Sequence, residues 1–240
     1  MPAAPHATGT PQGVAWRGVR RIFAGTRRRP DVVALDGLDL EGAAGELLVL
    51  VGPSGSGKST LLYSLAGILR PDRGHVSYRG ARLDDRSDEA LSRLRRDDFG
   101  FVFQFGSLVP DLTAVENVAF PLRLAGTGRR PAEARAREWL DRLGVADVGG
   151  KRPGEMSGGQ GQRVAVARAM VAGPRVVFAD EPTGALDSFN GELVMDELMG
   201  AAREQGASVV LVTHDSRIAA YADREVVVHD GRLSPAEVAA

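Results

Sequence analysis

Glu46-Leu47-Leu48-Val49-Leu50-Val51, followed without a break by Gly52-Pro53-Ser54-Gly55-Ser56-Gly57-Lys58-Ser59-Thr60 and then Leu61-Leu62-Tyr63-Ser64-Leu65, decides the fold class of this chain. A continuous apolar run of strand length suits a strand covered on both faces, as in a parallel sheet between helical layers. The glycines let backbone N–H groups curl inward, and the apolar segment after them reads as a helix whose positive N-terminus faces the same point. Such a cradle attracts a phosphate-sized anion. Gly52, Gly57, Lys58 and Ser59 stand in the defining places of the phosphate-loop pattern, where Lys58 reaches the β- and γ-phosphates and Ser59 ligates Mg²⁺. Lysine is scarce here: of 30 Lys and Arg residues, only Lys58 and Lys151 are lysine. A planar guanidinium does not replace a compact ammonium inside a backbone cradle, so Lys58 occupies a place that arginine cannot serve. Lys151 carries no role that the sequence supports.

Two more apolar runs follow the same plan, Val176-Val177-Phe178-Ala179 and Ser208-Val209-Val210-Leu211-Val212, and lead into Asp180-Glu181 and His214-Asp215. Ligands of open parallel sheets bind at the carboxyl ends of the strands, so three separate segments point to one site. Asp180 can hold Mg²⁺ through water while Glu181 orients or deprotonates an attacking water. Taken alone, the same pair reads equally well as the acidic start of a helix.

Outward from this frame, residues 82 to about 165 form a long charged stretch with helical signals. Thr113 and Glu116 make a capping-box pattern, and Pro131 and Gly144 bracket a helix. An insertion of this size implies a helical subdomain. Val14 to Phe23 and Asp31 to Leu40 read as an antiparallel β hairpin, with Arg27-Arg28-Arg29 as a solvated turn. Asp230-Gly231 signals a tight hairpin, His75 falls in a turn after Gly74, and Trp16 and Trp139 read as packing residues. Residues 1–13 are small, polar and proline-rich and read as a disordered lead-in to one domain spanning 14–240. The expected fold is α/β: a P-loop NTPase core with a mainly parallel sheet, an antiparallel β subdomain and an inserted helical subdomain.

Composition narrows the function. The chain has 240 residues, 43% of them hydrophobic, and a formal net charge of -1, which supplies no global field toward nucleic acid or anionic lipid. Zero cysteines exclude disulfides, thiolate zinc sites, iron–sulfur clusters and cysteine nucleophiles. No apolar stretch approaches the roughly 18 residues of a membrane-spanning helix, and the start lacks the features of a secretory signal. The expected location is therefore the cytosol.

Over the whole ordered chain the residues resemble ATP-binding cassette (ABC) transporter ATPases. The carrying motifs are Met156-Ser157-Gly158-Gly159-Gln160-Gly161-Gln162-Arg163-Val164-Ala165-Val166-Ala167-Arg168, similar to the family signature, and Val176 to Ser188, similar to Walker B plus the D-loop. Met156 replaces the usual leucine, a volume-conserving change. Gly161 stands where Gln or Glu is frequent, at a helix-propensity cost of up to about 1 kcal/mol.

The resemblance implies a Mg²⁺-dependent ATPase that closes as a head-to-tail homodimer, with Ser157, Gly158, Gly159 and Gln160 of one copy covering the ATP on the phosphate loop of the other. It further implies that Gln104 senses Mg²⁺, the water and the membrane partner, that His214 switches beside the γ-phosphate, that Asp187 crosses the dimer interface and that Phe23 stacks on adenine. Catalysis is thereby assigned to Glu181, His214 and Gln104, and the metal to Ser59, Gln104 and, through water, Asp180.

GFVFQ, LTAVENVAFPL and EPTGALDS resemble the branch that includes the MacB, LolD, FtsE and BceA ATPases. In that branch the ATPase drives a permease at the cytoplasmic face of the membrane; with no membrane segment of its own and a near-neutral charge, this chain is expected to work on a separate permease as a homodimer, without inserting and without touching nucleic acid. An FtsE-like role, transmitting force to a cell-wall enzyme, is the alternative with the same ATP chemistry. Phe105, Leu108, Val109 and Leu112, after Gln104, fit either a docking surface for that permease or packing within the helical subdomain.

Overall fold

The computed structural model describes residues 13–26, 30–104, 107–184 and 186–234. The tail expected to be disordered lies outside them but for Gly13, as do Arg27-Arg28-Arg29 and Phe105. The chain opens with β1 (Val14–Phe23) and β2 (Val32–Gly42), which pair antiparallel from Val14↔Gly42 to Phe23↔Val32. Then come β3 (Leu47–Val51), α1 (Lys58–Leu65), β4 (Arg73–Tyr78), β5 (Ala81–Arg82), α2 (Asp88–Asp98) and β6 (Phe99–Phe103). Three helices follow, α3 (Ala114–Leu124), α4 (Arg129–Arg142) and α5 (Gly158–Met170). The chain continues through β7 (Val176–Asp180), α6 (Ser188–Gln205), β8 (Ser208–Val212), α7 (Ser216–Ala219), β9 (Arg224–His229) and β10 (Arg232–Ser234).

Two sheets result. One is antiparallel, in the order β2-β1-β4-β5; the other runs β10-β9-β3-β8-β7-β6, with five parallel strands and β10 turned back at the edge. The parallel strands separate two apolar layers, as their uninterrupted apolar runs require. Leu48, Leu50 and Phe178 face α1 and the antiparallel sheet, while Val49, Val177 and Ala179 face α5 and α6. Trp16, fully buried in β1, ties the antiparallel sheet to α1 through its indole N–H, which donates to the Leu61 carbonyl at 3.2 Å.

The helical reading of 82–165 needs one change. Phe99–Phe103 lie inside it, yet they form an outer strand of the parallel sheet beside β7. Helix α2 stops at Asp98 because Phe99 is extended (φ -116°, ψ 133°), and its ring is buried against Tyr78 and Phe178. Gly100 lets α5 approach this strand, since a Cβ there would stand 2.5 Å from the Ala169 carbonyl oxygen. His75 is also reassigned: it belongs to β4, opposite Arg17, and is not in a turn. The capping box at Thr113 and Glu116 forms, and Gly144 ends α4 with φ +65°, although that helix starts two residues before Pro131.

The parallel register brings the strand ends together. Leu50 pairs with Val212, Val212 with Asp180, and Asp180 with Phe103. Gly52, His214, Glu181 and Gln104 therefore leave the sheet together, at the carboxyl ends of its parallel strands.

Candidate functional site

The glycine loop is shaped by close backbone approaches. Gly52 has φ +146°, and a Cβ there would stand 2.1 Å from the Val228 carbonyl oxygen; Gly57 has φ +104°, and its Cβ would stand 2.3 Å from that of Ala34. No other residue fits either place. The turn between β9 and β10 braces the loop from below: Gly231 N–H donates to the Ser56 carbonyl, and its own carbonyl accepts from Asp36 N–H, both at 2.9 Å. Lys58 is buried, and its Nζ donates to the Gly52 and Pro53 carbonyls at 2.8 Å each, which leaves one of its three donors. The first-turn N–H groups of α1 point into the loop. The Ser56 hydroxyl is buried with no hydrogen-bond partner. Cradle, ammonium and orphan hydroxyl together fit a phosphate group.

At the end of β7, Asp180 is held at both oxygens. Oδ1 accepts from the Ser59 hydroxyl at 2.9 Å and Oδ2 from the Tyr63 hydroxyl at 2.6 Å. Burial, followed by this bond, pushes the Tyr63 hydroxyl well above the ordinary tyrosine range. A serine hydroxyl and a carboxylate side by side are hard oxygen donors, the set that suits Mg²⁺ next to phosphate. Glu181 adopts the left-handed region, φ +48°, an unusual conformation for a non-glycine residue. Its N–H donates to the Val212 carbonyl at 2.9 Å, and its Oε2 lies 2.9 Å from His214 Nδ1. The side chain of His214 is 71% exposed and that of Glu181 20%, so the imidazole is the outer member of the pair. Gln104 lies over the turn after Glu181, with Nε2 2.8 Å from where a Cβ on Gly184 would stand.

The signature forms a separate group. Ser157 caps α5, accepting from Gln160 N–H at 3.3 Å, while the Gln160 side chain accepts from Ser157 N–H at 3.0 Å. Gly158 and Gly159 abut Leu186 and Asn190. Asp187 caps α6: its Oδ2 accepts from Asn190 Nδ2 at 2.7 Å and its Oδ1 from Asn190 N–H at 3.0 Å, bonds that hold the carboxyl below its usual range. Phe189, two residues on, is 75% exposed. Among the described residues no hydrogen bond joins 157–160 to 52–60. Phe23 ends β1, 39% exposed, with the Arg21 guanidinium 5.1 Å from its ring centroid.

Four contributors have roles that the sequence reading does not assign. Tyr63 is one, hidden in an apolar helix. Gln162, buried in α5, donates to the Phe103 carbonyl at 3.0 Å, tying the signature helix to the strand end before Gln104. Arg168 donates to the Ser107 carbonyl at 2.8 Å. Asn117, fully buried, donates to the carbonyls of Val109, Leu112 and Thr113 and accepts from Val109 N–H at 2.8 Å. An asparagine inside the run AVENVAF was the available signal for this last residue. Of the apolar residues after Gln104, Leu108 packs on the helical layer and Val109 stays exposed, close in sequence to exposed Phe120 and Leu124 of α3.

Residues 35–184 match the family model described as ABC transporter. The chain belongs to the ABC transporter family. It is therefore an ABC ATPase. It is 45% identical over 220 residues to the lipoprotein-releasing system ATP-binding protein LolD 2 of Caulobacter vibrioides, covering 92% of this chain and 96% of that protein. It is 44% identical over 230 residues to the macrolide export ATP-binding/permease protein MacB of Nitrosomonas europaea, covering 95% of this chain and 34% of that protein. A solved ABC cassette, in a dimeric post-hydrolysis state bound to ADP and Pi, superposes with a TM-score of 0.86 at 36% identity, covering 92% of this chain and 97% of that one. The LolD and MacB matches agree with the branch that GFVFQ, LTAVENVAFPL and EPTGALDS suggest. Among the described residues of this ABC ATPase, no helix is long and apolar enough to cross a membrane.

Proposed function

We propose that this ABC ATPase is the nucleotide-binding subunit of a membrane transporter, working as a homodimer that closes around two ATP and drives a permease carried on another polypeptide. One observation carries the reading: the phosphate loop, Asp180, Glu181, His214 and Gln104 meet at the carboxyl ends of the parallel strands, while Ser157 to Gln160 form a capped helix start with no bond to that loop. Such a helix start offers donors to an anion that the same chain does not supply, so a second copy completes the site. The dimeric ADP-bound neighbour supports this arrangement. The match to a LolD protein over 96% of its length supports a separate permease, with the ATPase peripheral at the cytoplasmic face.

In the closed dimer, Phe23 stacks on adenine, and the loop from Gly52 to Thr60 with Lys58 holds the phosphates. Ser59, Asp180 through water and Gln104 would hold Mg²⁺, which when bound would offset charge on the phosphate oxygens. Ser157, Gly158, Gly159 and Gln160 come from the partner copy, and Asp187 lies at the boundary. Glu181 orients the attacking water and takes its proton, and His214, bonded to the same carboxylate, holds it in place beside the γ-phosphate.

Glu181→Gln keeps the shape and removes the base. Turnover should fall by about 10²-fold or more, and size exclusion with Mg-ATP should show a stable dimer. A variant that stays monomeric under those conditions would contradict the two-copy site.

A further inference from the structure

The structure assigns Tyr63 a task of its own: we propose that it is a positioning residue that fixes Asp180 by Oδ2, so that Oδ1, together with the Ser59 hydroxyl, is the face turned to Mg²⁺. Ser59 and Tyr63 are four residues apart on α1, so their hydroxyls lie on one face of the helix. Asp180 meets both, Ser59 at 2.9 Å on Oδ1 and Tyr63 at 2.6 Å on Oδ2. The Tyr63 ring is itself seated, 6.3 Å from the Phe103 ring at the end of the neighbouring strand.

The two bonds differ in role. A serine oxygen can meet a metal through a lone pair while its hydroxyl goes on donating to Oδ1. The Tyr63 bond engages the other oxygen, Oδ2, and keeps it from the ion. A carboxylate held by one oxygen cannot swing into bidentate contact with the ion. Mg²⁺ demands near-octahedral geometry and keeps most of its water, whereas Ca²⁺ tolerates bidentate carboxylates. Hydrogen bonds behind a ligand set its orientation, and their loss typically costs about 10–100-fold in metal affinity.

The assignment depends on Asp180 and Ser59 facing Mg²⁺, as proposed above. Its test is calorimetric titration of ATP into the full chain in EDTA, in Mg²⁺ and in Ca²⁺. Tyr63→Phe should leave the affinity in EDTA unchanged, cut the gain that Mg²⁺ confers by roughly tenfold, and narrow the difference between Mg²⁺ and Ca²⁺. Phe103→Leu, which removes the ring contact but keeps the hydroxyl, should retain the full gain. An unchanged Mg²⁺ gain in Tyr63→Phe overturns the assignment, and so does an equal loss in Phe103→Leu. Asp180→Asn separates the two readings. If it loses the gain while Tyr63→Phe keeps it, only the role of Tyr63 fails; if Asp180→Asn keeps it, the metal site itself fails and the role of Tyr63 with it.

Discussion

Lys58 shows how much one side chain can carry. Its ammonium is buried and already bonded to two carbonyls of its own loop, so it stiffens the cradle and keeps one donor for the phosphate proposed to bind there. Lys58→Ala should abolish measurable ATP binding, read by fluorescence of a nucleotide analogue, while normal affinity would contradict the assignment of the loop. This residue was legible because the pattern is short, contiguous and chemically constrained. Tyr63 was not, because nothing in STLLYSL separates a packing tyrosine from one whose hydroxyl reaches a strand end 117 positions away. The Glu181–His214 contact, at 2.9 Å across 33 positions, lay between these cases. Both residues were identified, but their bond to each other depends on the left-handed turn at Glu181, which a strand-end pattern does not reveal.

Elements were readable where one force dominated. β3, β7 and β8 are uninterrupted apolar runs, buried on both faces, and the sequence reading found all three. β6 was absorbed into a helical stretch because it follows α2 directly, and the register that pairs Phe103 with Asp180 is a tertiary fact. The loop after Gln104 is set by Asn117, which serves three carbonyls and one N–H from a fully buried position. Asn117→Ala strands those groups, and its cost should be about 2–4 kcal/mol, read from urea midpoints. Asp187 offers a pH test at the start of α6. Its folded-state pKa is lowered, so its contribution is present above the ordinary carboxylate range and disappears as pH falls through the lowered value. The melting temperatures of wild type and Asp187→Ala should therefore differ at pH 7 and converge in strong acid.

On the scale of the whole molecule, the proposed site divides into a phosphate-loop half at the carboxyl ends of the parallel strands and a signature half at the start of α5. Phe189 is 75% exposed two residues after Asp187, and the proposed closure should cover it. Burying a phenylalanine is worth about 1.5–3 kcal/mol. Phe189→Ala in a Glu181→Gln background should therefore weaken the ATP-bound dimer by roughly tenfold or more in sedimentation, with the monomer's melting temperature unchanged. The peptide unit of Gly231 has a wider consequence. With its N–H on Ser56 and its carbonyl on Asp36, it works as a clasp between the nucleotide cradle and the antiparallel sheet. Filling the cradle should therefore stiffen the adjoining antiparallel sheet, and slower exchange of the Gly231 and Asp36 amide hydrogens in the presence of ATP would record that stiffening.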